Sequence, residues 1–268
     1  MSHPANRSGI LPPTAARNAD DTRPATRLLP TVATFVYIAA AIMVIVYVIR
    51  LICWLDPATE QWWKAWFRGE TGILDRTEAV LWLPTVALNA VMFVLARRAG
   101  LPRLTQAWFL GMTFACFVMA GEEVSWGQNV FGFAPPESVR AANAQEEFNL
   151  HNLNLRLLLG LPADHWLAPR LENANGILNP AYYLFSATVW IALPLAKRRE
   201  RFRLLRAVPV QDVRLAWFLA ANILAWIVVD KGMNCNVGEP FEFSLTTTYA
   251  LGALDLYRRS RAGALDVG

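Results

Sequence analysis

The chain has 268 residues, of which 55% are hydrophobic and only 17% charged, against roughly 25% charged in soluble domains. Its formal net charge of +4 is gathered in short Lys/Arg clusters between apolar runs, a distribution that suits membrane orientation rather than a basic nucleic-acid surface. Three cysteines, Cys53, Cys116 and Cys235, show neither CxxC nor Cys/His zinc spacing, which argues against a disulfide framework or a structural zinc site.

Residues 1–28 are rich in Pro, Arg, Ala, Asn and Asp and read as a disordered cytoplasmic tail, too long and polar for the head of a cleaved signal peptide. The first apolar run, 28–55, is long enough to cross a bilayer, with Arg50 placed to snorkel near its end. The next stretch sets Trp62, Trp63, Trp66 and Phe67 at helical spacing, as expected of a helix lying on the membrane surface. Further spans are predicted at about 78–95, 106–124, 177–196, 215–229 and 241–256. The expected class is therefore all-α: a polytopic membrane bundle of about six helices over residues 29–259. An outer-face helical segment, 125–175, would join the third span to the fourth, and a short tail, 260–268, would close the chain.

Charge tests this count. With the N-terminus inside, the cytoplasmic set is Arg7, Arg17, Arg23 and Arg27; Arg97, Arg98 and Arg103; Lys197, Arg198, Arg199, Arg201, Arg203, Arg206 and Arg214; and Arg258, Arg259 and Arg261. These are 17 of the 25 basic residues, as the positive-inside rule requires. An odd number of spans would put one large basic cluster on the wrong side. The expected location is a bacterial inner membrane, multi-pass, with both termini cytoplasmic.

The most informative stretch runs from Gly121 to Leu153, GEEVSWGQNVFGFAPPESVRAANAQEEFNLHNL. Continued as a helix, the third span would place Glu122 and Trp126 four residues apart and Glu123 and Trp126 three apart. The adjacent carboxylates would point about 100° from one another. The segment after Pro136 is helix-compatible, and there Glu147 and His151 would share a face, with Asn149 and Asn152 on a neighbouring one. Carboxylate and imidazole at that spacing suit a divalent metal ion or a general acid–base pair. Glu122, Glu123 and His151 are thus the candidate catalytic residues, and Glu123, Glu147 and His151 the candidate metal ligands. Glu78, Trp126, Gln128, Asn149, Asn152, Asn179, Asp230 and Glu242 are expected to gather at the same outer layer. Acids at span ends also simply flank and cap helices. His151 is equally readable as an interfacial histidine, and His165 as a loop residue.

GEEVSWGQNVFGF followed by QEEFNLHNLN resembles a group of bacterial multi-pass membrane proteins that carry a GEE-x-SWGQ segment and a downstream NLHN. The resemblance covers about 121–154 and implies a site without implying a reaction. HExxH, the GxxxxGK[ST] phosphate loop, a Gly-x-Ser before a helix, and the multiple histidines of ceramidase-like hydrolases or lipid phosphatases are all missing from the sequence. Two functions stay open. One is a membrane-embedded hydrolase or transferase, metal-assisted or acid–base, acting on a lipid or lipid-linked substrate. The other is a non-catalytic protein, either a transporter-like binder or a subunit docking a membrane partner. Neither involves nucleic acid.

Overall fold

A computed structural model describes residues 31–67, 72–143, 145–198, 203–263 and 265. The tail predicted over 1–28 lies outside the described residues, as do Arg199 and Arg201 of the basic set. The described residues form helices and turns without a strand, a polytopic all-α bundle.

Helix α1, Val32–Leu55, starts where the Thr31 side chain accepts the Thr34 amide at 3.3 Å. It stops at Asp56, because Pro57 disfavours helical backbone in the residue before it. The Asp56 carboxylate then accepts the Thr59 amide at 3.2 Å and opens α2, Pro57–Phe67. On α2, Trp63 is buried and stacks on Phe67 at 4.6 Å, whereas Trp62 and Trp66 face outward, as a surface-lying helix requires.

Arg50 does not snorkel. It is 3% exposed, its guanidinium is gripped by Glu60 of α2, and its Nε donates to the Asn236 carbonyl at 2.7 Å. The partner that changes its fate sits one helix further along the chain.

Helices α3, Ile73–Arg98, and α4, Arg103–Glu123, form a tight antiparallel hairpin. Gly100 takes the left-handed backbone (φ 65°) that closes α3, and the Leu101 amide reaches back to the Ala96 carbonyl. Four short helices follow: α5, Gln128–Phe131; α6, Glu137–Ala142; α7, Leu155–Leu158; and α8, Ala168–Leu171. The long apolar helix Asn175–Lys197 comprises α9, Asn175–Ala187, a π-helical turn Thr188–Ala192, and the start of α10, Leu193–Arg198. The next, Val213–Gly232, is α11, Val213–Trp226, ending in the π-helical Ile227–Gly232.

Among the described residues five helices are long and apolar enough to cross a membrane: Val32–Leu55, Ile73–Arg98, Arg103–Glu123, Asn175–Lys197 and Val213–Gly232. Their outward faces carry exposed Tyr37, Val44, Leu83, Phe114, Leu184, Trp217 and Leu224, the arrangement expected where the solvent is hydrocarbon. The predicted sixth span is α12, Gly238–Arg261, which has the length but not the apolarity. It packs against α3, α11 and α1, and Phe241, Leu245, Tyr249, Ala253 and Leu256 are buried. Two of its hydroxyls are satisfied within the helix: Ser244 donates to the Phe241 carbonyl and Thr248 to that of Ser244. A helix screened from lipid by its neighbours tolerates such residues.

Candidate functional site

The site begins where α4 ends. Ser125 and Trp126 adopt left-handed backbone (φ 46° and 53°) and Gly127 follows at φ 85°, so the span does not run on through Trp126 as predicted. The chain folds back, and the Trp126 ring lies flat on Gly121, where an added Cβ would come within 2.8 Å of it. Left-handed backbone costs a residue with a Cβ roughly 1–2 kcal/mol. Here it is offset by the Trp126 Nε1–H, which donates to Glu122 Oε1 at 2.7 Å.

The segment predicted to carry Glu147 and His151 on one helical face is not a helix between α6 and α7. Asparagines turn it instead, because their short amides compete with the backbone ladder. Asn143 Oδ1 accepts the Gln145 and Glu147 amides, and its Nδ2 donates to Asn149 Oδ1 at 2.9 Å. Asn149 Oδ1 also accepts the Asn152 amide, and Glu146 sits at φ 58°. Backbone bonds from Ala174 to Leu153 and from Asn175 to His151 then pin the loop to the start of α9.

Three side chains from the end of α4 and its turn hold this loop. Glu122 Oε2 accepts the Leu150 amide at 2.8 Å, the His151 amide at 3.1 Å and His151 Nδ1 at 3.1 Å. Ser125 donates to Glu147 Oε2 at 2.9 Å, which also takes the Asn149 amide group. Gln128 Oε1 accepts the Phe148 amide at 2.7 Å.

With its bond to Trp126, Glu122 has four donors, three on Oε2 and one on Oε1. It holds His151 in place from behind. Glu147 takes Ser125 and Asn149 on its Oε2, and Glu123, Glu147 and His151 are not gathered as the predicted metal set. Among the described residues no group of three or more His, Cys, Asp or Glu side chains is placed to hold a metal ion.

His151 keeps 35% of its side chain exposed. Asn152 Nδ2 lies 3.1 Å from its Nε2, so in the neutral ring Nε2 accepts and Nδ1–H points to Glu122. Burial by itself would lower the imidazole pKa. The hydrogen bond and negative charge of Glu122, with the charges of Glu123 and Glu242, outweigh burial and raise it above the ordinary value.

His151 opens onto a cavity of about 880 Å³. Its walls come from α3, α4, α9, α12 and the loop. They carry Glu78, Glu122, Glu123, Glu147, His151, Asn152, Asn179 and Glu242 of the predicted set. Glu78 is 3% exposed and receives the Thr246 hydroxyl at 3.1 Å, and Tyr183 donates to Glu242 at 3.2 Å. Glu123 has no hydrogen-bond partner among the described residues.

Trp126, Gln128 and Asn149 stand behind the walls and brace them. Asp230 is elsewhere: it pairs with Lys231 at 2.7 Å and accepts the Val237 amide, closing the turn that leads into α12.

Sequence reasoning missed Asp75 and Glu239, two further carboxyls on the cavity wall. The signal was present. Each lies three residues before a predicted acid, Glu78 or Glu242, and so shares its helix face. Starting those spans at 78 and 241 hid the relation. Tyr182, Thr246 and Gln145 also line the cavity, and nothing in their spacing singled them out. No family model, curated protein or solved structure matches the chain.

Proposed function

We propose that this integral membrane protein is an enzyme of the bacterial inner membrane, with both termini cytoplasmic, that performs acid–base hydrolysis or group transfer on a lipid or lipid-linked substrate at the outer face. The observation that carries the reading is the Glu122–His151 pair: an imidazole oriented from behind by a carboxylate that also grips the loop backbone, facing a cavity that presents Glu123, without a hydrogen-bond partner among the described residues. A carboxylate on Nδ1 fixes the tautomer and supports the imidazolium that forms when Nε2 takes a proton.

In the proposed step, a water or substrate hydroxyl replaces the Asn152 amide at Nε2 and gives its proton to His151 as its oxygen attacks. Glu123, protonated at the outset, gives its proton to the departing oxygen, and loss of the His151 proton to solvent with uptake of one by Glu123 restores the site. Among the described residues Arg76 is the only Lys or Arg on the cavity wall, so an uncharged or cationic headgroup fits better than an anionic one.

The same network supports membership of the group with GEE-x-SWGQ and NLHN. Gly121 makes room for Trp126, Glu122 takes Trp126, Leu150 and His151, Ser125 meets Glu147, and Gln128 meets Phe148. The two halves of the motif are thus two sides of one set of bonds. A second reading, a non-catalytic binder of protons or cations, is favoured by Glu78, a carboxyl 97% enclosed beside Glu242 and Glu123.

The full chain in liposomes of bacterial polar lipid extract, followed by mass spectrometry of every lipid class, tests the proposal. Conversion of one class is expected, falling about 10²–10⁴-fold in His151→Ala, the range of a lost general base. Folded wild-type protein that converts no lipid would refute catalysis and leave the binding role.

A further inference from the structure

On α4, Leu110, Phe114 and Phe117 recur at helical spacing and are 51%, 68% and 52% exposed, the lipid-facing stripe of a spanning helix. This stripe does not stop with the span. Phe117 meets the Trp126 ring edge-on at 5.8 Å. One turn further, α5 presents Val130 and Phe131 at 70% and 81% exposure.

Phe131 is held in this position from behind: it packs over Gly127, where a Cβ would come within 2.8 Å of its ring. Two large apolar side chains at such exposure would be costly in water, at about 25 cal/mol per Å². In a turn continuous with a lipid-facing stripe they have an available solvent.

Length agrees. The 21 residues of α4 span about 31 Å at 1.5 Å each, close to the ~30 Å of hydrocarbon. The turn after it therefore falls at the headgroup–acyl boundary.

We infer that α5, with Val130 and Phe131, is seated in the outer boundary of the bilayer as a continuation of the lipid surface of α4, and is not part of an aqueous domain. Val130 and Leu150, itself 51% exposed, also line the cavity. Its mouth then lies at the level of lipid headgroups, so that an amphiphile reaches His151 without leaving the membrane. The seating of α5 stands independently of any catalysis.

Nitroxide labels read depth directly. The native cysteines can remain, since Cys53, Cys116 and Cys235 are at most 4% exposed. Val130→Cys, Phe131→Cys, Phe114→Cys as the lipid standard and Glu137→Cys as the aqueous standard would each be labelled in full-length protein in phosphatidylethanolamine–phosphatidylglycerol liposomes. Glu137 side-chain exposure is 80%. Labels at 130 and 131 are expected to collide preferentially with oxygen, as at 114, and to be shielded from a water-soluble nickel chelate that reaches 137. Val130 makes no ring contact, so it reports even if Phe131→Cys disturbs the turn. Chelate access at 130 equal to that at 137 would overturn the inference. Loss of lipid conversion in these variants would bear on the enzyme reading alone.

Discussion

At the scale of single residues, Glu122 explains why two distant stretches of sequence form one site. Its carboxylate takes two backbone amides, an indole and an imidazole, and each bond to a charged acceptor contributes about 1.5–3 kcal/mol. The same bond holds His151 above its ordinary pKa of about 6.5. The sign follows from linkage: a group whose pKa is raised in the folded protein adds stability that is complete below its unfolded pKa and is lost as pH rises through the folded value. The clamp between loop and α4 is therefore expected to weaken as pH climbs above about 6.5. In Glu122→Gln the imidazole loses its charged partner, and its titration, followed by NMR of ring-labelled histidine in nanodiscs, moves downward. An unchanged titration would show that Glu122 does not control His151. Gly121 offers a second handle. A methyl there enters the Trp126 ring, so Gly121→Ala should cost about 1–3 kcal/mol, the usual range for overpacking, read as a lower thermal midpoint in detergent. Gly111, with open space around its Cβ position, is the matched control and should tolerate Ala.

At the scale of elements, the spans were legible and the loop was not. An apolar run of about twenty residues has few folded alternatives, so α1, α3, α4, Asn175–Lys197 and Val213–Gly232 appear within a few residues of their predicted limits. The segment around His151 has helix-compatible composition, but its asparagines bond to backbone that only the folded loop brings within reach, as when Asn143 meets Asn149. Arg50 illustrates the same limit. Snorkelling is what a lone arginine near a span end does, and sequence alone did not pair it with Glu60. Breaking one side of such a buried pair costs about 3–5 kcal/mol, whereas replacing both residues by apolar ones of similar volume is often neutral. Glu60→Ala should therefore lower the thermal midpoint strongly. Arg50→Met with Glu60→Leu should recover most of the loss, and equal destabilisation in both would mean that the charge pair is not what holds α2. The π-helical turn at Thr188–Ala192 has a comparable dependence on its partner. Trp190 fills the notch above Gly252 of α12, where a Cβ would stand 2.1 Å from the ring.

At the scale of the whole molecule, the question is how α12 sits among five more apolar helices. Its Glu239, Glu242 and Asp255 would each cost about 2.5–3.5 kcal/mol at the centre of an isolated inserting helix, and taken alone it would be a poor span. In the bundle these groups lie near its two ends: Glu239 and Glu242 face the cavity, and Asp255 meets Arg259 at 2.8 Å and the Asp212 amide at 2.9 Å. The middle of α12 is occupied by Leu245, Tyr249, Gly252 and Ala253, all buried against other helices. Packed in this way, α12 is expected to cross with its neighbours. One consequence distinguishes this from a five-span protein whose last helix lies outside the bilayer, and a second reporter is its control. A reporter fused after Gly268 should read the same side as one fused before Met1, because six crossings return the chain to its starting face; five would separate them. A reporter fused after Lys231, with α12 deleted, should read the opposite face. If α12 depends on α3 for insertion, replacing Trp82 and Asn89, buried residues on α3, by Lys should strand α12 and shift the C-terminal reporter to a mixed signal, while the reporter after Lys231 keeps its side. A C-terminal reporter that reads opposite to the N-terminal one in the unaltered chain would remove α12 from the membrane, and with it Glu239 and Glu242 from the wall of the cavity.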